Sequence, residues 1–482
     1  MIEEEVTAEH TDTEESWFTR LIMKVQTPEM KRNVYSTLVS IVLALLVAAG
    51  IMVFTGHDPL EAYGALFLGA ILQFDKTLYN ATPLVLAGLS VALAFKCGLF
   101  NIGAEGQLYM GSIVTTAVAY MISLPIVVHQ VVCLTLGVLA GMAYGFLPGL
   151  LKAYRGAHEV VTTMMMSYAS VLLTQWLVSQ GPMHNPGDWR SITPVIFDSA
   201  TLPKLFGSAF LNWGFFLAIG AVIFVEFLIN RTALGYELRA VGANEEAART
   251  AGINSKRNIA LALGISGGLA GLAGSEEILG YYHRFYDGWS GGLGFDGVTV
   301  AVLGRNNPWG VLGGALFFGF LKAGGGNMQT FAGVPSEMVN VIQGLVVLFV
   351  AAPRLVDWLA KHGVGYAQVL KDNPRVGAPQ FALLIYSIFS IVFSFLAFNV
   401  LSIINLLISL VALAYLYMRD EFGVWLAAIT SIVWILLGVL TLAGVSIAFV
   451  SIMIGVVGLV LFVWYERVRE ANLNPMSQGG ES

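Results

Sequence analysis

The stretch GLFNIGAEGQLYMGS, residues 98–112, decides how the rest of the chain is read. It sets four glycines, an asparagine, a glutamine and a glutamate between two hydrophobic runs. A helix in lipid satisfies its own backbone and gains nothing from such residues. A charged side chain near the bilayer centre costs roughly 2.5–3.5 kcal/mol on insertion scales. Two readings follow from the residues alone. The stretch is a cytosolic turn, where glycine and glutamate need no explanation, or it is a broken helix sheltered by protein around a cavity. In the second reading Asn101 and Gln107 offer donors and acceptors to a solute, and Phe100 and Tyr109 offer rings for stacking.

The surroundings of this stretch are those of a membrane protein. Of 482 residues, 56% are hydrophobic and 12% charged, about half the charge of an ordinary soluble domain. Apolar runs repeat from Val34 to Trp464, and runs of about 18 residues suffice to cross a hydrocarbon core. They are continuous rather than alternating, which excludes a β-barrel. The fold class is therefore an all-α polytopic membrane protein. Cys97 and Cys133 lie in or beside apolar segments and read as small buried side chains rather than a disulfide framework. No signal peptide is expected, because the first apolar run comes late and is long.

Spans are expected near 34–55, 78–96, 107–124, 126–151, 159–180, 207–229, 258–281, 291–305, 309–325 and 337–352. The eighth is too short to cross and suggests a half-helix or re-entrant piece. Four more are expected near 380–397, 399–417, 422–443 and 445–465. This divides the chain into an acidic-then-basic tail (1–33), a core (34–353), a polar linker (354–379), a four-helix appendage (380–465) and a C-terminal tail (466–482). With both termini cytosolic, 20 of the 25 basic residues fall on inner segments, as the positive-inside rule requires. Lys76, Arg190, Lys204, Arg284 and Lys322 are left outside.

Enzymatic signatures are sparse: there is no G-x-x-x-x-G-K-[ST] phosphate loop and no His/Cys cluster with metal-ligand spacing. A solute pump without such a motor must borrow its energy. Residues 235–254, GYELRAVGANEEAARTAGIN, show where that energy could enter. Asn244 is a good N-cap, Glu245 and Glu246 place acid at the positive end of a helix dipole, and Gly252 suits the C′ position. Glu245 and Arg249 are spaced to pair. Any cytosolic loop can hold a capped helix, so the residues alone do not make this a docking element.

The loop resembles the ATPase-coupling loop of ABC importer permeases of the ribose, nucleoside and branched-chain amino-acid group. FNIGAEGQ and GFDGVTVAVLGRNNPWG (294–310) resemble the nucleoside type, and the resemblance covers about residues 30–355. It implies a ten-span permease core with broken or re-entrant helices, to which the four C-terminal spans are an addition. It also implies that Gly242, Asn244, Glu245, Ala247 and Gly252 meet a cytosolic ATP-binding subunit, with Glu246 and Arg249 on the same short helix. It favours the cavity reading of FNIGAEGQ, placing Phe100, Asn101, Glu105 and Gln107 near a substrate pathway with Phe295, Asp296 and Glu277. The implied partners are that ATPase, a second similar permease, an extracellular substrate-binding lipoprotein and a small-molecule substrate. Nucleic acid has no place in such an assembly. The chain would bind no cofactor and catalyse nothing, ATP being used by the partner, and it would reside in a bacterial plasma membrane. Ribose or another sugar, or riboflavin, are alternative substrates.

Three further expectations concern charge. Glu276 and Glu277 point about 100° apart near an outer end, so at least one should snorkel to the interface. Tyr281, Tyr282, Phe285 and Tyr286 with His283 and Arg284 fit an interfacial aromatic belt. Lys96 and Lys322 lie near predicted span ends, where snorkelling explains them. An ion-coupled transporter relaying charge through Glu105, Glu276, Glu277 and Asp296 is the alternative mechanism. It leaves the capped cytosolic loop without a purpose.

Overall fold

A computed structural model describes residues 28–351, together with Ile429 and residues 461–462. The linker, the four-helix appendage and both tails beyond these limits lie outside the described residues.

The described core is all helical: α1 (Pro28–Phe54), α2 (Pro59–Leu72), α3 (Phe74–Lys96), α4 (Ala104–Met121), α5 (Ile126–Arg155) and α6 (Glu159–Ser179), then α7 (Gly214–Arg231), α8 (Ala233–Ala243), α9 (Glu245–Thr250), α10 (Ser255–Glu277), α11 (Leu293–Leu303), α12 (Pro308–Ala332) and α13 (Met338–Ala351). Six of these segments are long and apolar enough to cross a membrane, with α10 extended to Tyr282 by a π-turn. The chain is thus a multi-pass membrane protein.

The two central helices are α3 and α10. About four-fifths of each apolar window is buried inside the protein, against about a fifth for α1, α5 and α6. Their residues explain this: α10 reads SKRNIALALGISGGLAGLAGSEE, mostly Gly, Ala and Ser. Without a hydrophobic driving force between helices in lipid, association needs close backbone approach, which small residues permit. Gly141 of α5 faces Gly267 and Gly271 of α10; a Cβ on Gly141 would lie 2.4 Å from the Gly267 carbonyl oxygen. The same seam is pinned by Thr115, whose hydroxyl donates to the Cys133 carbonyl (3.1 Å) and lies 2.7 Å from Ser275 Oγ. Cys97 and Cys133 are buried and unpaired.

One helix escaped the sequence reading. Segment 59–72 forms α2, capped by Asp58, whose side chain accepts from Leu60 N–H, with Pro59 in the first turn. The Asp-Pro-x-Glu signature marks its start; at 14 residues the helix is too short to cross the hydrocarbon core. The predicted break near 291–305 is real: α11 has 11 residues, about 16 Å of rise, and cannot cross alone. Span 309–325 is too short as predicted, because α12 runs on to Ala332.

Candidate functional site

The polar stretch forms at the foot of α4. Helix α3 ends at Lys96, and Gly98 turns the chain at φ +73°. A Cβ on Gly242, at the end of α8, would lie 2.3 Å from the Lys96 carbonyl oxygen, so this turn and the α8–α9 loop meet backbone to backbone. The chain then rises to Asn101, fully buried. Asn101 Nδ2 donates to Gln107 Oε1 (2.8 Å) and Ser266 Oγ (2.7 Å), while its Oδ1 accepts from Gln107 Nε2 (3.2 Å) and Gly103 N–H (2.9 Å). Ser266 donates onward to the Ser90 carbonyl (2.7 Å). The amide pair thus ties α4 to both central helices with its hydrogen-bonding capacity used. Phe100 packs edge-on against Phe95 at 4.9 Å between centroids rather than presenting a free face.

Glu105 does something the sequence did not announce. Its carboxylate accepts from Ser290 Oγ and, at 2.6 Å, from the backbone N–H of Gly294 in the first turn of α11. A Cβ on Gly294 would lie 2.3 Å from Glu105 N, so the N-termini of α4 and α11 abut. Two positive dipole ends meet inside the protein, and a carboxylate between them is the expected compensation. Glu105 is 4% exposed; it is sheltered as expected, but by packing and hydrogen bonds.

From this junction α11 carries Phe295 and Asp296 outward, with Phe295 exposed. Asp296 Oδ2 accepts from Lys322 Nζ at 2.6 Å, and both side chains are nearly 30% exposed. Lys322 sits about 21 Å along α12 from its start. Snorkelling at a span end is therefore corrected: with ten further residues beyond it, Lys322 reaches a carboxylate rather than the interface. The sequence gives no sign of Ser290 or Ser266 at this site, and Lys322 loses its span-end position only because α12 runs on to Ala332.

Glu276 and Glu277 also overturn their expectation. Both are buried, at 0% and 2% exposure, so neither snorkels. The Glu277 carboxylate accepts from Tyr79 OH at 3.0 Å. Glu276 lies against Gly214, where a Cβ would come within 2.1 Å of its Oε1. It therefore sits at the N-terminus of α7, as Glu105 sits at that of α11. Of the aromatic group, Phe285 is fully buried, and it, Tyr109 and Tyr282 surround Trp289, while Tyr281, Tyr282, His283, Arg284 and Tyr286 are half-buried.

The loop 181–205 closes over this cluster by pairing backbone with 279–287. Thr193 N–H donates to Phe285 O (2.9 Å), Ile196 N–H to His283 O (3.0 Å) and Leu202 N–H to Leu279 O (2.9 Å). Burial, then the nearby Lys204 charge, hold the His283 imidazole below its ordinary pKa. At the loop tip, hydrogen bonds from Arg190 pull Asp188 down to about 2.

The α8–α9 segment forms as its caps dictate. Asn244 is extended (φ −162°, ψ 112°), and its Oδ1 accepts from Ala247 N–H at 3.0 Å. Gly252 takes φ +87°. Ala248 faces inward, packed with Leu238, Val241 and Ile259, while Glu245, Glu246, Ala247 and Arg249 are exposed. The Glu245–Arg249 pair does not form; the ion pairs among the described residues are Lys152–Glu159, Arg190–Asp188 and Lys322–Asp296.

Among the described residues, Asn101, Glu105 and Gln107 line none of three cavities. One of about 250 Å³ adjoins Lys322 and Glu337, one of about 680 Å³ lies at the loop tip around Trp189 and Arg284, and one of about 600 Å³ lies between α1, α11 and α12.

Comparison with known proteins adds the context. Residues 73–351 match the family described as branched-chain amino acid transport system / permease component. The guanosine ABC transporter permease of Bacillus subtilis is 38% identical over 324 residues, covering 65% of this chain and 92% of that one. The glucose ABC transporter permease of Haloferax volcanii is 35% identical, covering 70% and 92%. The nucleoside ABC transporter permease of Lactococcus lactis is 34% identical, covering 68% and 93%. No solved structure matches. Helical composition, the capped loop and the joined half-helix all lie within the matched region, and the chain belongs to this family of ABC transporter permeases.

Proposed function

We propose that this chain is the membrane-spanning subunit of an ATP-driven importer of nucleosides. It works with a second similar permease, a cytosolic ATPase that binds ATP, and an extracellular substrate-binding lipoprotein. ATP is hydrolysed by the partner and none is bound here. The core is a ten-span unit with both termini cytosolic, to which 380–465 adds four spans. The single observation supporting the mechanism is a continuous line of close contact. It runs from the exposed α9 through Gly242 against Lys96, up to the Asn101–Gln107–Ser266 knot, and across Glu105 to the first turn of α11.

In this reading the ATPase engages Gly242, Asn244, Glu245, Glu246, Ala247, Arg249 and Gly252. Displacement of α9 then pushes on the 96–98 turn. Rigid, hydrogen-bonded elements transmit such a push because packed interfaces shift rather than deform. Phe295 and Asp296, partnered by Lys322, lie on the solute side of α11; Phe100, Asn101, Glu105 and Gln107 brace that half-helix from behind, and Glu277 fixes the outer end. Relatives named for guanosine and nucleosides favour that substrate class. The relative named for glucose, at 35% identity, supports a sugar as the second reading.

Co-expression with its ATPase, permease and lipoprotein partners tests the mechanism. Ala247→Arg or Asn244→Pro should abolish labelled-nucleoside uptake while leaving membrane insertion and lipoprotein binding intact. Normal uptake in both variants refutes docking at α9. Uptake of glucose but not of guanosine by the wild-type assembly refutes the substrate class alone.

A further inference from the structure

The cavity of about 250 Å³ lies between Lys322, Gly325 and Gly326 of α12 and Ser336, Glu337 and Asn340, where α13 begins. Two adjacent glycines give it its shape. A Cβ on Gly325 would lie 2.9 Å from Val339 Cγ2, so α13 packs closely there, whereas a Cβ on Gly326 would meet nothing within 4 Å. One glycine draws the helices together and the next leaves a trough open. Gly325 stands about 10 Å of helix rise before Ala332. The cavity is therefore recessed from the end of α12, on the outer side in the topology proposed above. Lys322 Nζ is already taken by Asp296 Oδ2 at 2.6 Å, which neutralises its charge. Among the described residues, the side chains of Ser336, Glu337 and Asn340 have no hydrogen-bond or ion-pair partner. A hydroxyl, a carboxylate and an amide thus line one recess with their hydrogen-bonding capacity unused.

We propose that this cavity binds the sugar ring of the solute through its vicinal hydroxyls and turns away solutes that carry phosphate. The inference rests on the importer reading above, in which the solute is a nucleoside or a sugar. A carboxylate has two acceptor oxygens and no donor, which matches two adjacent O–H donors on one ring. The Asn340 amide and the Ser336 hydroxyl each offer both a donor and an acceptor, and serve the ring oxygen or a further hydroxyl. At about 250 Å³ the space falls below the about 300–1,000 Å³ of pockets that enclose a whole small molecule. It holds one ring and leaves the rest of the solute outside. Because Asp296 holds Lys322, the charge left to meet a ligand is that of Glu337, and like charges placed together repel.

Saturation-transfer difference NMR on the purified full chain in nanodiscs, with guanosine as the probe, tests this without any partner subunit. Guanosine should bind, with the strongest transfer to its ribose protons, and glucose should compete. Dideoxyguanosine, which lacks both ribose hydroxyls, should bind at least about tenfold more weakly, as should guanosine monophosphate. Glu337→Gln should remove the preference over the monophosphate, and Glu337→Lys should reverse it, a change that loss of fold cannot produce. Gly326→Leu should abolish binding by filling the trough, and its open surroundings keep that variant folded. Binding of neither guanosine nor glucose overturns the proposal, as does equal binding of guanosine and its dideoxy analogue. So do unchanged preferences in Glu337→Lys, unchanged binding in Gly326→Leu, or displacement of guanosine by calcium, which would make the recess a cation site. Loss of solute uptake by the whole assembly with this binding intact would instead count against the importer reading alone.

Discussion

Replacing Gly294 by alanine separates local preference from tertiary packing, because the two predict opposite signs. Gly294 lies within α11, and by helix propensity Gly→Ala stabilises by roughly 0.8–1.0 kcal/mol. The structure says otherwise. The added Cβ would stand 2.3 Å from Glu105 N and 2.4 Å from Glu105 Cα, both backbone atoms that cannot rotate away. Restoring ordinary contact at 3.4 Å moves α11 by about 1.1 Å (3.4 minus 2.3). The Gly294 N–H to Glu105 distance, 2.6 Å now, then lengthens to about 3.7 Å, past hydrogen-bonding range. Overpacking costs about 1–3 kcal/mol, and losing a hydrogen bond to a carboxylate about 1.5–3 kcal/mol. Net of propensity, the loss is about 1.5–5 kcal/mol, a fall in Tm of about 3–10 °C. Differential scanning fluorimetry of the purified chain measures it, with Gly313→Ala as the control. That Cβ meets nothing, so the control should hold its Tm or gain slightly. A Gly294→Ala protein as stable as Gly313→Ala would refute the abutting N-termini.

Two further outcomes are expected. Asp296→Asn or Lys322→Met alone should destabilise by about 1–2 kcal/mol, less than a fully buried pair because both side chains are part-exposed; the double variant should recover much of the loss, and additive losses in the thermal-shift cycle would deny the ion pair. His283 is held neutral in the fold, so its contribution to the loop clamp is complete above the unfolded value of about 6.5 and is lost as pH falls below it. Protection factors of the Thr193 and Ile196 amides, corrected for the intrinsic pH dependence of exchange, should fall between about pH 7.5 and 5.5 in wild type but not in His283→Gln, and equal pH dependence in the two would contradict the clamp.

Composition and run length alone settled the membrane class, because burial of apolar surface in lipid is a property of windows rather than of contacts. Local chemistry was equally legible. Asn244 caps through its side-chain oxygen and Gly252 turns because it has no Cβ, and the short run at 291–305 is the half-helix α11, since these outcomes depend on neighbours a few residues away. What FNIGAEGQ does was not legible. Asn101 pairs with Ser266 across 165 positions of sequence and Glu105 with Gly294 across 189, and no local rule ranks such partners. Glu276 and Glu277 failed the snorkelling rule for the same reason: Gly214 leaves space for one and Tyr79 a hydroxyl for the other. A lone charge in an apolar run tells only that it needs compensation. Which helix end, hydroxyl or opposite charge supplies it is decided when distant segments pack, because electrostatic compensation acts through space and not along the chain.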